Sequence, residues 1–180
     1  ILSLMQLLRD SSREELDELQ ENNVRLVTTG DVGRLVKQSR LALEQTIKET
    51  ANNTGLTLNL ALSYDGKSDI LQAVKCLVED VQQGRLNPKD IDADQFAQKL
   101  YTGGLPDPDL LIRTSGEVRL SNFMLWQCAY IEFWFTDVLW PDFRREHLYE
   151  AIRNFQKRER RYGKTGIQLQ QETIGNNGTP

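Results

Sequence analysis

Two short apolar runs flank a polar stretch in residues 106–135, PDPDLLIRTSGEVRLSNFMLWQCAYIEFWF. The first run, residues 109–113, has the length of a buried strand and follows a Pro-Asp-Pro turn. The Thr-Ser-Gly-Glu sequence after it breaks the apolar pattern, so we expect the strand to end at Arg113. The second run, residues 130–135, is rich in aromatic residues and predicts another strand. This stretch therefore predicts two strands joined by a polar segment.

Strands and helices alternate along the rest of the chain. Strands are predicted at residues 24–29 and 56–63, and helices at residues 1–10, 13–22, 35–51, 68–83 and 145–161, with a short helix ending at Tyr101. This alternation predicts an α/β fold with a mostly parallel central sheet and helices on both faces. Residues 167–180 are polar and end in Gly-Asn-Asn-Gly-Thr-Pro, so we expect a flexible tail there.

Cationic and hydroxyl side chains follow the first of the two strands. Arg113 stands at its carboxyl end, Arg119 comes a few residues later, and Ser121-Asn122 has the composition of a helix N-cap. Guanidinium groups and free helix N–H groups at the end of a strand suit a phosphate or a diphosphate. The alternative is a structural pair of arginines beside an ordinary helix cap. Glu117 lies between the arginines and either orients them or faces solvent.

Glu132 stands in the middle of the second apolar run. In a strand it shares one face with Tyr130 and Trp134. Nothing in the strand alone explains a carboxylate at this position, but either of two partners would explain it. One is a bound metal ion, and the other is a neighbouring arginine such as Arg113. The pattern of residues alone leaves both interpretations open.

Composition excludes several functional classes. The chain has 180 residues, a formal net charge of −4 and 27% charged residues, which is typical of one soluble globular domain. A nucleic-acid binder would usually be basic, so we expect no nucleic-acid partner. No apolar run approaches the roughly 20 residues of a membrane-spanning helix. Cys76 and Cys128 lack metal or redox spacing, which predicts reduced thiols in a cytosol-like compartment.

Two further polar segments have ordinary structural explanations. Residues 64–68, Tyr-Asp-Gly-Lys-Ser, predict an Asp-Gly turn that begins a capped helix, and a phosphate contact through Lys67 is the weaker alternative. Residues 157–164, KRERRYGK, predict a solvated helix end. For this basic segment the alternative is contact with a diphosphate or with an anionic membrane surface.

Four segments carry a family resemblance: residues 106–140, Asn53–Asn59 (NTGLTLN), Trp140–Phe143 (WPDF) and Arg158–Gly163 (RERRYG). Together they resemble the signatures of the cis-prenyltransferases, the family of which undecaprenyl diphosphate synthase is the best-known type. The similarity extends over residues 1–166. On this resemblance we expect residues 1–166 to be the carboxyl-terminal two thirds of a single cis-prenyltransferase domain.

The resemblance implies a transferase that condenses isopentenyl diphosphate with an allylic diphosphate to make a cis-polyprenyl diphosphate. In the family, the residues that match Arg113, Arg119 and Ser121 bind the diphosphate of isopentenyl diphosphate, and the glutamate that matches Glu132 helps to coordinate Mg²⁺. The resemblance also implies a homodimer. We expect a cytoplasmic location, or a plastid if the source is a plant, and peripheral contact with a membrane through the product.

One family motif has no counterpart in the sequence. Family members carry an Asp-Gly-Asn-Gly-Arg-Trp motif, whose aspartate helps to hold magnesium and activates the allylic diphosphate. We therefore expect a fold that is incomplete at its amino terminus, no catalytic residue in this segment, and an inactive 180-residue chain. The alternative is a non-catalytic accessory subunit of a heteromeric cis-prenyltransferase. Against that alternative, the sequence keeps residues 113–117 (RTSGE) and Glu132.

Overall fold

The computed structural model describes most of the chain as two compact units. The residues that it describes are 6–7, 10–11 and 14–158. The first unit runs to Pro106 and takes in Asn122–Leu125, and the second unit consists of Asp107–Ser121 and the residues from Trp126 onward. Each unit is built around a pair of parallel strands.

The first unit is a β-α-β arrangement with further helices on either side in sequence. Its elements in chain order are α1 (Leu16–Glu21), β1 (Arg25–Thr29), α2 (Lys37–Glu49), β2 (Thr57–Ala61), α3 (Gly66–Gln82) and α4 (Ala93–Lys99), with short 3₁₀-helices at Val32–Arg34 and Pro88–Asp90. Strands β1 and β2 are parallel, with Arg25 opposite Thr57 and Thr29 opposite Ala61. Both strands therefore end at the same edge, where β2 leads into α3.

Leucines form the core of the first unit. Leu26 of β1 packs with Leu35 and with Leu43 of α2, and Leu43 is only 1% exposed. Burial of one leucine side chain contributes about 2 kcal/mol to stability. Buried Thr50 also accepts a hydrogen bond from the Leu26 N–H through Oγ1 at 3.1 Å. Apolar packing and this hydrogen bond together fix α2 against β1.

The second unit contains the two strands that the opening stretch predicts. Its elements are β3 (Leu110–Arg113), β4 (Glu132–Phe135), a 3₁₀-helix at Trp140–Asp142, and α5 (Arg145–Gln156). Strands β3 and β4 are parallel, with Leu110 opposite Glu132 and Arg113 opposite Phe135. Helix α5 packs against β4, and Ala151 on its inner face is fully buried. The carboxyl ends of β3 and β4 therefore lie side by side.

The predicted α/β class and the parallel strands are confirmed. The strands predicted at residues 24–29, 56–63 and 109–113 are all present, and the fourth strand begins at Glu132, two residues later than the apolar run. Among the described residues, hydrogen bonds pair β1 with β2 and β3 with β4.

The helix predicted to begin at Ser121-Asn122 is wrong. Residues 121–130 form turns instead of a helix. Ser121, Asn122 and Met124 have positive φ angles of 52°, 63° and 46°, and residues in this left-handed region do not continue a right-handed helix. Asn122 does cap a helix, but the helix is α3, which lies 55 residues earlier in the chain.

Some expectations concern residues that the structure does not describe. The flexible tail at residues 167–180 and most of the RERRYG segment, residues 159–163, lie outside the described part. Within the described part, no helix combines the length and the apolar character needed to cross a membrane.

Candidate functional site

Arg113 ends β3, and its side chain carries a buried nitrogen that has no hydrogen-bond partner among the described residues. Its carbonyl oxygen accepts a hydrogen bond from the Thr136 N–H at 3.0 Å, which holds the strand end in place. The side chain is half-buried, and among the described residues its Nε atom is buried without a hydrogen-bond partner. A buried donor on a cation is costly to leave unpaired. The position therefore suits an anion that accepts from the guanidinium group.

The turn after β3 folds back onto the segment after β4. Ser115 and Gly116 donate their N–H groups to the carbonyl oxygens of Val138 and Thr136, both at 2.9 Å. Gly116 has a φ angle of 67°, and a Cβ atom there would lie 3.0 Å from Oδ1 of Asp137. Glycine meets both demands because it accepts a positive φ and needs no side-chain space. The turn thus holds the carboxyl ends of the two strands together.

Arg119 lies on the loop beyond this turn and pairs with Glu117. Its Nη1 atom is 2.5 Å from Oε2 of Glu117, and its side chain is 66% exposed. An exposed ion pair contributes at most about 1 kcal/mol. The structure therefore pairs Glu117 with Arg119, and the orienting role considered for Glu117 stays a prediction.

Ser121 is exposed and has a left-handed backbone. Among the described residues, no hydrogen bond or ion pair links Ser121, Arg113 and Arg119 to one another. The structure therefore places all three in the second unit, one at a strand end and two on the loop that follows it. Within the described part of the chain, Arg119 is paired with Glu117 and not with either of the other two.

Glu132 is the first residue of β4, and its carboxylate is bound by an arginine. Arg158, just beyond α5, places Nη1 2.8 Å from Oε2 of Glu132. The same nitrogen donates to the carbonyl oxygen of Phe133 at 2.8 Å. The interpretation that an arginine binds this carboxylate is confirmed, but that arginine is Arg158 and not Arg113, which was given as an example.

Glu132 suits magnesium only as one ligand among several. Within the described part of the chain, no three His, Cys, Asp or Glu side chains are grouped closely enough to hold a metal ion. Magnesium is commonly bound by one or two carboxylates, with the other oxygens supplied by water and substrate phosphates. The described residues therefore fit a magnesium ion carried by a diphosphate, and they do not form a metal site built from protein ligands alone.

The start of α3 is capped and is not open to a phosphate. The N–H groups of Gly66 and Lys67 donate to the carbonyl oxygen and to Oδ1 of Asn122, at 2.7 and 3.0 Å. The Ser68 N–H donates to Oδ1 of Asp65 at 2.8 Å, and Asn122 donates to the same carboxylate at 3.1 Å. Hydrogen bonds from Ser68 and then from Asn122 lower the pKa of Asp65, with a smaller contribution from Arg34. The capped-helix interpretation of residues 64–68 is confirmed.

Sequence reasoning missed Asp69, a buried carboxylate in the first turn of α3. It is 1% exposed, and it accepts the Tyr101 N–H at 2.8 Å and the Tyr64 hydroxyl at 2.9 Å. The ring of Tyr64 also meets those of Tyr101 and Phe123 edge-on. The signal was the spacing of Asp69, which lies on the same buried face of α3 as Ala73 and Leu77, and the helical period of the sequence could have indicated it.

The sequence of this chain matches the model of a known protein family. Residues 1–163 match the family model described as "Putative undecaprenyl diphosphate synthase". The chain therefore belongs to this prenyltransferase family, and the resemblance stated from the sequence is confirmed.

Curated relatives carry the name isoprenyl transferase. The protein from Chlorobaculum tepidum is 52% identical over 174 residues, which cover 97% of this chain and 66% of the relative. The protein from Geobacillus kaustophilus is 51% identical over 160 residues, which cover 89% of this chain and 62% of the relative. The chain thus spans slightly less than two thirds of the length of these relatives.

Two solved structures have the same fold. Lavandulyl diphosphate synthase from Lavandula x intermedia, solved with dimethylallyl diphosphate, has a TM-score of 0.86 and 36% identity, with 89% of this chain and 70% of that chain covered. A probable undecaprenyl diphosphate synthase from Campylobacter jejuni has a TM-score of 0.76 and 34% identity, with 88% and 72% covered.

Proposed function

We propose that the complete protein is a cis-prenyltransferase that condenses isopentenyl diphosphate with an allylic diphosphate. Family membership supports this class of reaction. The observation that carries the site is the buried Nε of Arg113, which has no partner among the described residues. A diphosphate oxygen is an acceptor of the required charge.

Arg113, Arg119 and Ser121 bind the diphosphate of isopentenyl diphosphate in this proposal. Arginine is suited to this task because its guanidinium group stays charged and donates two parallel hydrogen bonds. Arg119 is exposed, so it can exchange its contact with Glu117 for one with the substrate. The hydroxyl of Ser121 adds a neutral donor on the same loop.

The reaction exchanges a carbon–oxygen bond for a carbon–carbon bond. The allylic C–O bond breaks, and its electron pair leaves with the diphosphate. The double bond of isopentenyl diphosphate supplies the pair for the new C–C bond, and a proton is then lost to give the new cis double bond. The residues assigned here contribute by holding the attacking substrate in a fixed orientation, which is a large source of rate acceleration.

Magnesium is part of the proposal, with Glu132 as one of its ligands. When bound, the ion neutralises charge on the departing diphosphate. The chain's own contribution is a carboxylate at the start of β4, held by Arg158.

A homodimer is also proposed for the complete protein. The family resemblance implies this assembly, and five aromatic residues in the second half of the chain give it a physical basis: Phe123, Trp126, Phe133, Trp134 and Trp140. In the structure Trp140 is 71% exposed, and Phe123 and Trp126 are exposed by more than a third. Exposed aromatic residues are enriched at protein interfaces. The cytoplasmic location stays a prediction.

An assay of the complete natural polypeptide tests the proposed activity. We expect labelled isopentenyl diphosphate to be incorporated into a longer prenyl diphosphate in the presence of an allylic diphosphate and Mg²⁺. Arg113→Gln should lower kcat/KM for isopentenyl diphosphate at least about tenfold, the equivalent of one charge-assisted hydrogen bond. The matched control is Arg145→Gln, at an exposed arginine of α5. Absence of prenyl products, or equal loss in both variants, would refute the assignment.

A further inference from the structure

The guanidinium group of Arg158 donates hydrogen bonds to three acceptors in the second unit. Its Nη1 atom donates to Oε2 of Glu132 and to the carbonyl oxygen of Phe133, each at 2.8 Å. Its Nε atom donates to Oδ1 of Asn154, one turn earlier in the chain, at 3.0 Å. The arginine therefore joins the end of α5 to the start of β4, and the prediction that residues 157–164 form a solvated helix end is wrong for Arg158.

Among the described residues, the contact with Arg158 engages one of the two carboxylate oxygens of Glu132. Oε2 accepts from Arg158, whereas Oε1 accepts no hydrogen bond from any described residue. The two side chains are 33% and 29% exposed, so the pair is partly shielded from water. A carboxylate held at one oxygen keeps a fixed orientation and still has an oxygen to offer a ligand.

Two basic residues near Arg158 in the chain do not make this kind of contact. Arg153 donates from Nε to the carbonyl oxygen of Tyr149 in its own helix, at 3.2 Å, and Lys157 is exposed. Arg153 lies in α5, five residues before Arg158, and has the same side chain, so it provides a matched control for Arg158.

We propose that Arg158 is the positioning residue of Glu132. It binds Oε2 and so sets the orientation in which Oε1 faces the metal–diphosphate of the substrate. This inference rests on the proposed function and adds a residue that acts through Glu132 without contacting substrate itself. Partners of metal-binding carboxylates usually change metal affinity or activity by about 10–100-fold when they are mutated.

A double-mutant cycle in the complete natural polypeptide tests this role. Arg158→Gln should lower kcat about 10–100-fold. In the Glu132→Gln background the same change should have almost no further effect, because the group it positions is gone. Arg158→Lys should recover part of kcat, since an ammonium group can still donate to Glu132. Arg153→Gln should behave as the wild type.

Equilibrium binding of Mn²⁺ in the presence of inorganic diphosphate gives a second measurement that needs no turnover. Arg158→Gln should weaken Mn²⁺ binding about tenfold, and Arg153→Gln should leave it unchanged. Unchanged or tighter Mn²⁺ binding in Arg158→Gln would overturn the proposal, because the arginine would then be a simple helix anchor or a competitor of the metal. Additive losses of kcat in the cycle would also overturn it.

Failure of the proposed function gives a different result. In that case the wild type forms no prenyl product, while the Mn²⁺ comparison still decides whether Arg158 positions Glu132. A variant that merely unfolds is recognised by loss of its cooperative thermal transition, and Arg158→Lys then replaces Arg158→Gln in the comparison.

Discussion

Arg119 offers a direct side-chain test of the diphosphate site, because its guanidinium group is exposed and contacts only Glu117 among the described residues. Arg119→Lys keeps the charge and loses the planar pair of donors. We expect KM for isopentenyl diphosphate to rise about tenfold, as for one lost charge-assisted hydrogen bond, with a smaller change for the allylic substrate. Steady-state kinetics with each substrate varied in turn measures both values. Arg145→Lys is the control, and equal changes for the two substrates would contradict the assignment.

Asp65 makes the stability of the first unit depend on pH. Its pKa lies below the ordinary value of 3.8 in the folded state, because Ser68 and Asn122 donate hydrogen bonds to the charged form. A lowered folded-state pKa gives stability that is present above the unfolded-state pKa and is lost as the pH falls through the folded-state pKa. We expect wild type to be more stable than Asp65→Asn at pH 6, with the difference shrinking below about pH 4. Urea unfolding at several pH values measures the free energy of unfolding of both proteins. A difference between them that stays constant with pH would contradict the prediction.

At the scale of secondary structure, Asn122 holds the turn at residues 122–125 against the start of α3. Its side chain accepts from the Lys67 N–H and donates to Asp65. We expect Asn122→Ala to lower the free energy of unfolding by about 1–2 kcal/mol, the usual cost of a lost cap. Because φ at Asn122 is 63°, Asn122→Gly removes the same side chain without backbone strain and serves as the control. Urea unfolding of both variants separates the cost of losing the cap hydrogen bonds from the cost of backbone strain at a positive φ angle. A Gly variant as stable as wild type would show that the cap contributes nothing to stability.

The strands were predictable from sequence, and the long-range contacts were not. Apolar runs end where a strand ends, so Arg113 was placed correctly at the end of β3. Asn122 was recognised as a capping residue, but asparagine has the same preference at any helix start. The local sequence around Asn122 could not show that it caps α3, because the two contacting residues lie 55 positions apart in the chain. The partner of Glu132 was missed for the same reason, because Arg158 lies 26 residues away.

At the scale of the whole molecule, the 180-residue chain should show no prenyl transfer when it is assayed alone. Glu132 is the one carboxylate assigned to the proposed metal, and among the described residues no three His, Cys, Asp or Glu side chains are grouped closely enough to hold an ion. A magnesium–diphosphate held by one carboxylate lacks the second carboxylate that such sites often use. Incubation with both diphosphates and Mg²⁺ tests this directly, with the complete polypeptide as the positive control. Turnover by the 180-residue chain would show that Glu132 is sufficient or is not the metal ligand.

The complete protein should be a dimer at micromolar concentration. Trp140 is 71% exposed and stacks on Phe143 with ring centroids 5.8 Å apart, so it presents a large, rigid apolar surface. Burial of such a ring at an interface contributes about 2 kcal/mol, which is absent while the ring is exposed to water. We expect light scattering to give twice the monomer mass, and Trp140→Ala to raise the dissociation constant about tenfold or more. Val118→Ala is the control, because Val118 is equally exposed at 72% but is not aromatic. A monomeric wild type would contradict the proposed assembly, and a dimer unaffected by Trp140→Ala would place the interface on another surface.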